Sequence, residues 1–575
     1  TVLFKDFLKF DPTKPNWKDR DRLILSAGHG SMLLYSILYL TGYKDCNLNQ
    51  LKKFRQIGSL TAGHPEYGLL KGTETTTGPL GQGIANAVGM AIAENLLNRK
   101  FGNYLVDHKT IVIAGDGCLM EGLSQESISL AGHLKLKKLI ILFDNNGISI
   151  DGKTSLTTSD NQMKRFEASN WNTIEIDGHN HKEIKNALQK SYRSDKPSII
   201  SCKTIIGYGS PNKEGTENCH GSPLGEIEAN LTKEKLGITN KPFSIPKNIL
   251  SEWRKIGKFG INKRLKWEKK LSSYKNKNEF LNHFKDVNYS RNKEINSYLN
   301  EILKTKKDEA SRKSSQNSIE IISSKIKKFL GGSADLTGSN LTKTKHSVTK
   351  GKSQNYIFYG VREHLMAGAM NGISLHGGFL CYGGTFLIFS DYCKPAIRLS
   401  ALMGLRVIYI FSHDSIGLGE DGPTHQPIEH LSSLRAIPNL NVFRPADINE
   451  TLECWEASLN NEKGPSAIIL SRQKLNYISK FPDEKNKCLL GAYEVNISSH
   501  DNKITMIASG SEVELALSTQ QQLKELGIES KVVSIPCQEL FDQQSEDYKN
   551  KILEHDNLIV SIEAGTVSCW HKYLK

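Results

Sequence analysis

Short apolar runs recur along the chain, each closed by glycine or a polar turn and followed by a helical pattern. Ile111–Ala114 reads as a buried strand, and Gly115-Asp116-Gly117 is the tight turn at its end. A helical pattern runs from about Leu119 to Leu134, and a second apolar run, Leu139–Phe143, ends in Asp144-Asn145-Asn146-Gly147. Strand, helix and strand at this spacing predict a parallel βαβ unit. Around it the same period repeats. Leu23–Leu25 predicts a short strand turned by Ser26–Gly30, with a helix from Ser31 to about Leu40. Ile84–Leu97 predicts a helix whose small residues suit close contact, here expected across a subunit interface. Trp171–Ile176 and Pro197–Thr204 predict strands on either side of a helix at His181–Arg193. The first residues carry a helical pattern already under way at Thr1 and broken at Asp11-Pro12.

The second half repeats the first in kind. Gly331–Asn340 ends a strand and opens a loop, and Phe358–His364 leads into a helix at Leu365–His376. Cys381–Phe389 reads as strand and turn, Val407–Phe411 as a strand, and Arg435–Pro445 and Ala467–Arg472 as two more strand ends. A third unit has strands at Thr505–Ala508, Lys531–Ile535 and Leu558–Ile562 and a helix at Glu512–Leu526, and it carries no candidate chemistry. Leu231–Gln316 is rich in Lys, Asn and Ser, with helical periodicity at Arg264–Tyr274 and Ile295–Lys306. It reads as an exposed connector. The pattern predicts an α/β protein of three domains, each a mainly parallel sheet flanked by helices. A chain of 575 residues is too long for one core.

Composition narrows the partners. The net charge is +14, but the lysines are scattered and gather in the connector, so the excess reads as solvated surface with a mild preference for anionic substrates. Neither a basic stripe nor a nucleic-acid motif is present, so no nucleic-acid partner is expected. The 10 cysteines are dispersed without a C-x-x-C pair, which suggests neither a zinc site nor a disulfide framework and fits a reducing compartment. No apolar stretch reaches membrane-spanning length, and no signal peptide is seen at Thr1.

In parallel units, ligands sit at the carboxyl ends of the strands. Asp116 and Asn146 fall there and offer hard oxygens suited to Mg²⁺ or Ca²⁺. The glycines beside them let backbone approach a phosphate closely. His29, His64 and His220 all lie in Gly-rich loops, where each alone is more often a turn residue than a catalyst. Glu363, near a helix start, could merely complement the helix dipole. Phe386, Phe389 and Tyr392 could be core. The loop IGLGEDGPTHQP, Ile416–Pro427, gathers acids and His425, with His413 just before it, and is hard to explain as core.

The string GDGCLMEG…LAGHLKL…DNNGISIDG resembles the transketolase family of thiamine diphosphate enzymes. So do GHPE and TTGPLGQG near His64, the loop CHGSPL at His220, GGSADLTGSN at 331–340, YGVREH at Glu363 and GEDGPTH at Asp421–His425. The resemblance covers essentially the whole chain and implies transfer of a two-carbon ketol unit from a ketose phosphate to an aldose phosphate in the non-oxidative pentose phosphate pathway. It implies a thiamine diphosphate carbanion or enamine intermediate, Mg²⁺ or Ca²⁺, a cytoplasmic homodimer with active sites at the subunit interface, and no membrane partner. Residues 1–240 would form the diphosphate- and metal-binding domain, 241–316 the connector, 317–484 the pyrimidine-binding domain and 485–575 the C-terminal domain.

By the same resemblance, Asp116, Asn146 and the Ile148 carbonyl hold the metal. His29, Gly78, Pro79, Leu80, Gly117, Asn146, His220 and Asp335 bind the cofactor, with Phe386, Phe389 and Tyr392 stacking on its pyrimidine ring. Glu363 activates it, and His64, His220 and His425 move protons on substrate hydroxyls. Asp421 recognises a hydroxyl, and Arg312, Ser339, His413 and Arg472 hold the phosphate. An earlier family segment, Ser-Gly-His-Pro-Gly, has no counterpart here and the third unit stops at Lys575, short of where the family's would close, so both ends are expected to be truncated and turnover of this form is expected to be poor. Deoxyxylulose-phosphate synthase, which shares GDG and a similar Glu-Asp-Gly-Pro-Thr-His string, is the nearest alternative. A non-catalytic homologue is a second.

Overall fold

The computed structural model describes residues 1–287, 289, 293–478, 486–496 and 502–574. The chain forms two compact units, Thr1–Asn282 and His283–Lys575. The expected domain boundary between residues 484 and 485 lies outside the described residues.

In the first unit, β1 (Arg22–Leu25), β2 (Thr110–Gly115), β3 (Leu139–Asn145), β6 (Asn172–Asp177) and β7 (Ser198–Lys203) form one sheet in the order β1-β2-β3-β7-β6. Every neighbour in it is parallel. A two-stranded hairpin, β4 (Ile148–Ser149) and β5 (Gly152–Lys153), follows β3. Helices cover both faces of the sheet, so Ile111, Val112 and Ala114 of β2 and Leu139–Ile141 of β3 are wholly buried. That is why those strands read as unbroken apolar runs.

Three expectations change here. The helix at Gln82–Phe101 is longer than its pattern and is buried inside its own unit, packed on the sheet and on helix Gly122–His133. Its small residues serve that internal packing. The helix expected at Leu119–Leu134 is split into Asp116–Met120 and Gly122–His133 by an extended Glu121, with ψ 136°. Side chains replace the lost helical bonds: Ser124 Oγ donates to the Cys118 carbonyl and Gln125 Nε2 to that of Leu119, each at 2.5 Å. The opening helix is one π-helical turn, Leu3–Phe7, after which Leu8 is extended and buries its side chain in the core.

The connector supplies the helix Lys247–Ser272, with only Gly257, Gly260 and Trp267 buried along it. A Cβ on Gly257 would stand 2.1 Å from the Thr41 carbonyl oxygen, and one on Gly260 1.9 Å from that of Phe10. The two glycines let the helix cross the N-terminal segment at backbone contact. Trp267 Nε1 donates to the Leu105 carbonyl at 2.8 Å.

The second unit has two sheets. The first contains β8 (Phe329–Ser333), β9 (Tyr356–Phe358), β10 (Leu380–Phe386), β11 (Val407–Ser412), β12 (Asn441–Phe443) and β13 (Ser466–Leu470), all parallel, in the order β12-β13-β11-β10-β8-β9. The second contains β14 (Tyr493–Glu494), β15 (Ile504–Ala508), β16 (Ser530–Ser534) and β17 (Leu558–Ile562) in the order β14-β16-β15-β17, with β14 antiparallel. Arg435 does not begin a strand. It ends the helix His430–Arg435, and only Asn441–Phe443 of the expected run is extended. Its guanidinium pairs with Glu563 at 2.8 Å, while buried Arg444 pairs with Asp414 at 2.8 Å and also with Glu512. The pairs of Arg435 with Glu563 and of Arg444 with Glu512 join the two sheets of the unit; removing one partner would strand a buried charge. No helix among the described residues is long and apolar enough to cross a membrane.

Candidate active site

In the first unit the carboxyl ends of β2 and β3 open on a cavity of about 850 Å³. His29, Leu80, Asp116, Gly117, Asn146, Ile148 and His220 all line it. The turn at Gly28–Gly30 abuts Gly78, where a Cβ on Gly28 would lie 2.7 Å from the Gly78 nitrogen. Gly78 has φ +140°, and its open Cα face lies against the His64 ring, 3.3 Å from a built Cβ. Gly117 is equally constrained: a Cβ there would come within 2.9 Å of the Leu80 side chain. The loop holding Gly78, Pro79 and Leu80 is thus fitted closely against the two strand-end turns. His29 and His220 stack at 4.8 Å.

Two carboxylates, Asp116 and Asp144, and two imidazoles, His29 and His220, set the electrostatics of this cavity. Asp116 accepts from the Gly147 backbone, yet its Oδ2 is buried with no hydrogen-bond partner among the described residues. Burial, with the nearby Asp144 carboxylate adding to it, raises Asp116 to about 6. Asn146 turns its Oδ1 to the Ile148 amide at 3.0 Å and its Nδ2 to Asp144 at 3.3 Å. Burial lowers His29, reinforced by His220 and His64, and burial lowers His220, whose Nδ1 is also buried without a partner among the described residues. An orphaned carboxylate oxygen beside an amide and a carbonyl suits a hard divalent ion. Neutral imidazoles at the same cavity can donate or accept without repelling that ion.

In the second unit the site residues gather at the carboxyl end of the six-stranded sheet. Phe386 ends β10, Phe389 closes a short 3-10 turn and Tyr392 lies in the first turn of helix Ser390–Leu402. Phe386 and Phe389 stack at 5.8 Å and 12°, and Phe389 meets Tyr392 at 5.9 Å. His413 follows β11 at φ 61°, a left-handed conformation rare for a side-chain-bearing residue. That bend sets its ring 3.8 Å from Phe386. His425 meets Phe389 at 5.5 Å and Phe386 at 6.2 Å.

Cations crowd the same end. Burial lowers His413 to about 4, helped by Arg312, Arg472 and His425 and opposed by Asp421. Arg312 donates to the Ser339 carbonyl at 2.8 Å, and its own value is lowered by burial and by Arg472. Arg472 forms a forked pair with Glu420, one arm at 3.1 Å. Among the described residues no hydrogen bond or ring contact joins Glu363 or Asp335 to this cluster. Glu363 opens the helix Glu363–His376, two residues earlier than its pattern suggests, and that helix packs on helix Ser390–Leu402. Burial raises Glu363, and its own backbone N–H partly offsets that. Asp335 is exposed at φ 62° just after β8.

Two residues escaped the sequence reading. Asp144 lines the first cavity, hydrogen-bonds Thr204 and bears on Asp116; its place at the end of an apolar run was the available signal. Glu420 clamps Arg472, and nothing in its local sequence distinguishes it from its acidic neighbour Asp421.

Comparison with known proteins places the chain. The thiamine diphosphate binding domain of transketolase matches residues 1–291, the transketolase pyrimidine binding domain residues 308–477 and the transketolase-like C-terminal domain residues 491–575. Transketolase of Sinorhizobium medicae (strain WSM419) is 49% identical over all of the chain and 83% of its own length. Transketolase 1 of Escherichia coli (strain K12) is 46% identical over all of the chain and 88% of its own. The crystal structure of Campylobacter jejuni transketolase superposes with a TM-score of 0.92 at 41% identity, covering all of the chain and 88% of that one. A Pichia stipitis transketolase in complex with sedoheptulose-7-phosphate superposes at 0.91 with 37% identity, covering all of the chain and 87% of that one. The chain belongs to the transketolase family, thiamine diphosphate-dependent transferases of two-carbon ketol units.

Proposed function

We propose that the chain performs this transfer between a ketose phosphate and an aldose phosphate in the cytoplasm, as a homodimer in the non-oxidative pentose phosphate pathway. Residues 1–240 serve as the diphosphate- and metal-binding domain, 241–316 as the connector, 317–484 as the pyrimidine-binding domain and 485–575 as the C-terminal domain. The observation that carries the reading is the orphaned Oδ2 of Asp116 in a cavity shared with Asn146, Ile148, His29 and His220. Asp116, Asn146 and the Ile148 carbonyl would hold Mg²⁺ or Ca²⁺, which would supply positive charge to offset the cofactor diphosphate. Gly78, Pro79, Leu80 and Asp335 position the rest of the cofactor, and Phe386, Phe389 and Tyr392 stack on its pyrimidine ring.

Thiamine diphosphate, when bound, supplies the electron sink that cleavage beside a carbonyl requires and no side chain offers. Glu363 holds a proton for the pyrimidine ring, a task suited to a carboxyl raised by burial. His64, His220 and His425 exchange protons with substrate hydroxyls. Of these, His220 is held toward the neutral form by burial, which leaves it a lone pair to accept a proton. Asp421 accepts a hydrogen bond from a substrate hydroxyl. Arg312, Ser339, His413 and Arg472 hold the phosphate, and a dianion arriving beside His413 raises its depressed pKa so that it can donate. The test is turnover with thiamine diphosphate, Mg²⁺, a ketose phosphate donor and an aldose phosphate acceptor. A sedoheptulose-type product dependent on both additions is expected. A product formed instead from pyruvate and glyceraldehyde phosphate would overturn the reading.

A further inference from the structure

Away from these sites, Asp391, Glu429 and His430 each place a ligand atom within 4.8 Å of the others, the one such group among the described residues. Asp391 lies in the first turn of the helix that carries Tyr392, while Glu429 and His430 start the helix that follows the His425 loop. Both carboxylates are exposed, but His430 is only 2% exposed. His430 Nε2 lies 3.1 Å from Asp391 Oδ2. An ionised carboxylate only accepts, so Nε2 carries the hydrogen, and in that tautomer Nδ1 presents a lone pair. That Nδ1 is buried, has no hydrogen-bond partner among the described residues, and faces Glu429 Oε2 at 3.8 Å. Two acceptors therefore face each other across a gap too long for a hydrogen bond. Two atoms that share one ion, each at about 2.0–2.2 Å, stand roughly 3–4 Å apart.

We propose that His430 Nδ1 and Glu429 ligate a second divalent cation, with Asp391 as the outer carboxylate that orients the imidazole. A carboxylate on the far ring nitrogen is the usual support of a metal-bound histidine, fixing its tautomer and raising its basicity. An imidazole ligand selects a transition metal such as Zn²⁺ or Co²⁺ over Mg²⁺ or Ca²⁺. This site is thus chemically distinct from the all-oxygen set at Asp116. Water fills the remaining positions on the exposed side. An ion bound there braces the start of the Tyr392 helix against the segment leaving the His425 loop.

The experiment uses the untagged 575-residue chain, stripped with chelator and titrated with Co²⁺ alone, without thiamine diphosphate. One equivalent per chain should bind and develop visible absorption bands. The bands should persist in Asp116→Ala, vanish in His430→Gln and require at least tenfold more Co²⁺ in Glu429→Gln, whose side chain is exposed. Absence of the bands, or their survival in both Glu429→Gln and His430→Gln, would overturn the proposal. So would a His430 ring that titrates by NMR as an imidazolium clasped between two carboxylates and is unmoved by added metal.

Discussion

The strand ends of the first sheet and those of the six-stranded sheet both handle charge, but they hold it differently. At the first, Asp116 has an oxygen without a hydrogen-bond partner among the described residues and a carboxyl held at about 6 by burial. At the second, Arg472 is already forked onto Glu420 and Arg312 already donates to the Ser339 carbonyl. A ligand entering the first region supplies what is missing. A ligand entering the second must exchange with a partner in place. The first arrangement favours a resident group held through many turnovers, and the second favours a substrate that has to leave after each one. A self-satisfied guanidinium lowers net affinity without lowering specificity, because only a group matching its fork can replace the carboxylate.

The harshest way to break that comparison is to remove the deficit. Asp116→Ala should weaken thiamine diphosphate and Mg²⁺ binding by roughly 100-fold or more, since even supporting residues of metal sites are worth 10- to 100-fold. Calorimetry would measure it, and unchanged affinity would remove Asp116 from the metal site. A pH series sharpens the point. The proton competes with the ion for one carboxylate, so affinity should fall about tenfold per unit below pH 6. Stability runs the other way in the free chain. A carboxyl raised on folding binds its proton more tightly when folded, so the free chain should lose stability as pH rises toward 6, and the loaded chain should not.

Next in size is Glu363→Gln, which keeps the shape and removes the acid. Cofactor binding should survive, while exchange of the thiazolium C2 proton, followed by NMR, slows by roughly 10²- to 10⁴-fold. Exchange at the unmodified rate would show that Glu363 plays another part. Arg472→Ala and Arg312→Ala come third. Each charged contact is worth about 1.5–3 kcal/mol, so kcat/KM for phosphorylated donors should fall roughly 10- to 150-fold, mainly through KM. A non-phosphorylated donor such as hydroxypyruvate should be nearly spared. Equal losses with both donors would mean that the arginines serve structure.

What the sequence made legible follows from how local each signal is. Parallel strands buried on both faces read as continuous apolar runs, so β2, β3 and β11 stand out. Ligand positions at their carboxyl ends follow from topology, and the cavity at Asp116 and Asn146 lies where the βαβ pattern put it. The break at Glu121 was hidden because the bonds that permit it come from Ser124 and Gln125 side chains, which look helical in sequence. The small-residue helix at Gln82–Phe101 misled because close packing looks the same whether the neighbour is the chain's own sheet or another subunit. Arg435 carries no local mark of a helix end, because the partner that fixes it there, Glu563, is far along the chain. Glu420 was missed for the same reason: its meaning lies in Arg472, which only the fold brings near.

The smallest expected effect tests the exchange idea itself. Glu420→Gln leaves Arg472 without its competing charge. Glu420 and Arg472 are both solvent-accessible, with side chains 62% and 34% exposed, so the pair should be worth only ~0.2–1 kcal/mol. If a substrate phosphate must displace Glu420, the substitution should therefore lower KM for phosphorylated donors by roughly 1.5- to 5-fold and leave hydroxypyruvate unchanged. The advantage should shrink as salt rises, since exposed charges are screened over about 10 Å at 0.1 M. Combining it with Arg472→Ala should give the KM of Arg472→Ala alone, because two residues acting through one contact are not additive. A Glu420→Gln enzyme with raised KM for phosphorylated donors would instead mean that the carboxylate holds Arg472 in the orientation the phosphate needs. The fork would then be preorganisation rather than competition, and the contrast between the two regions would lose its basis.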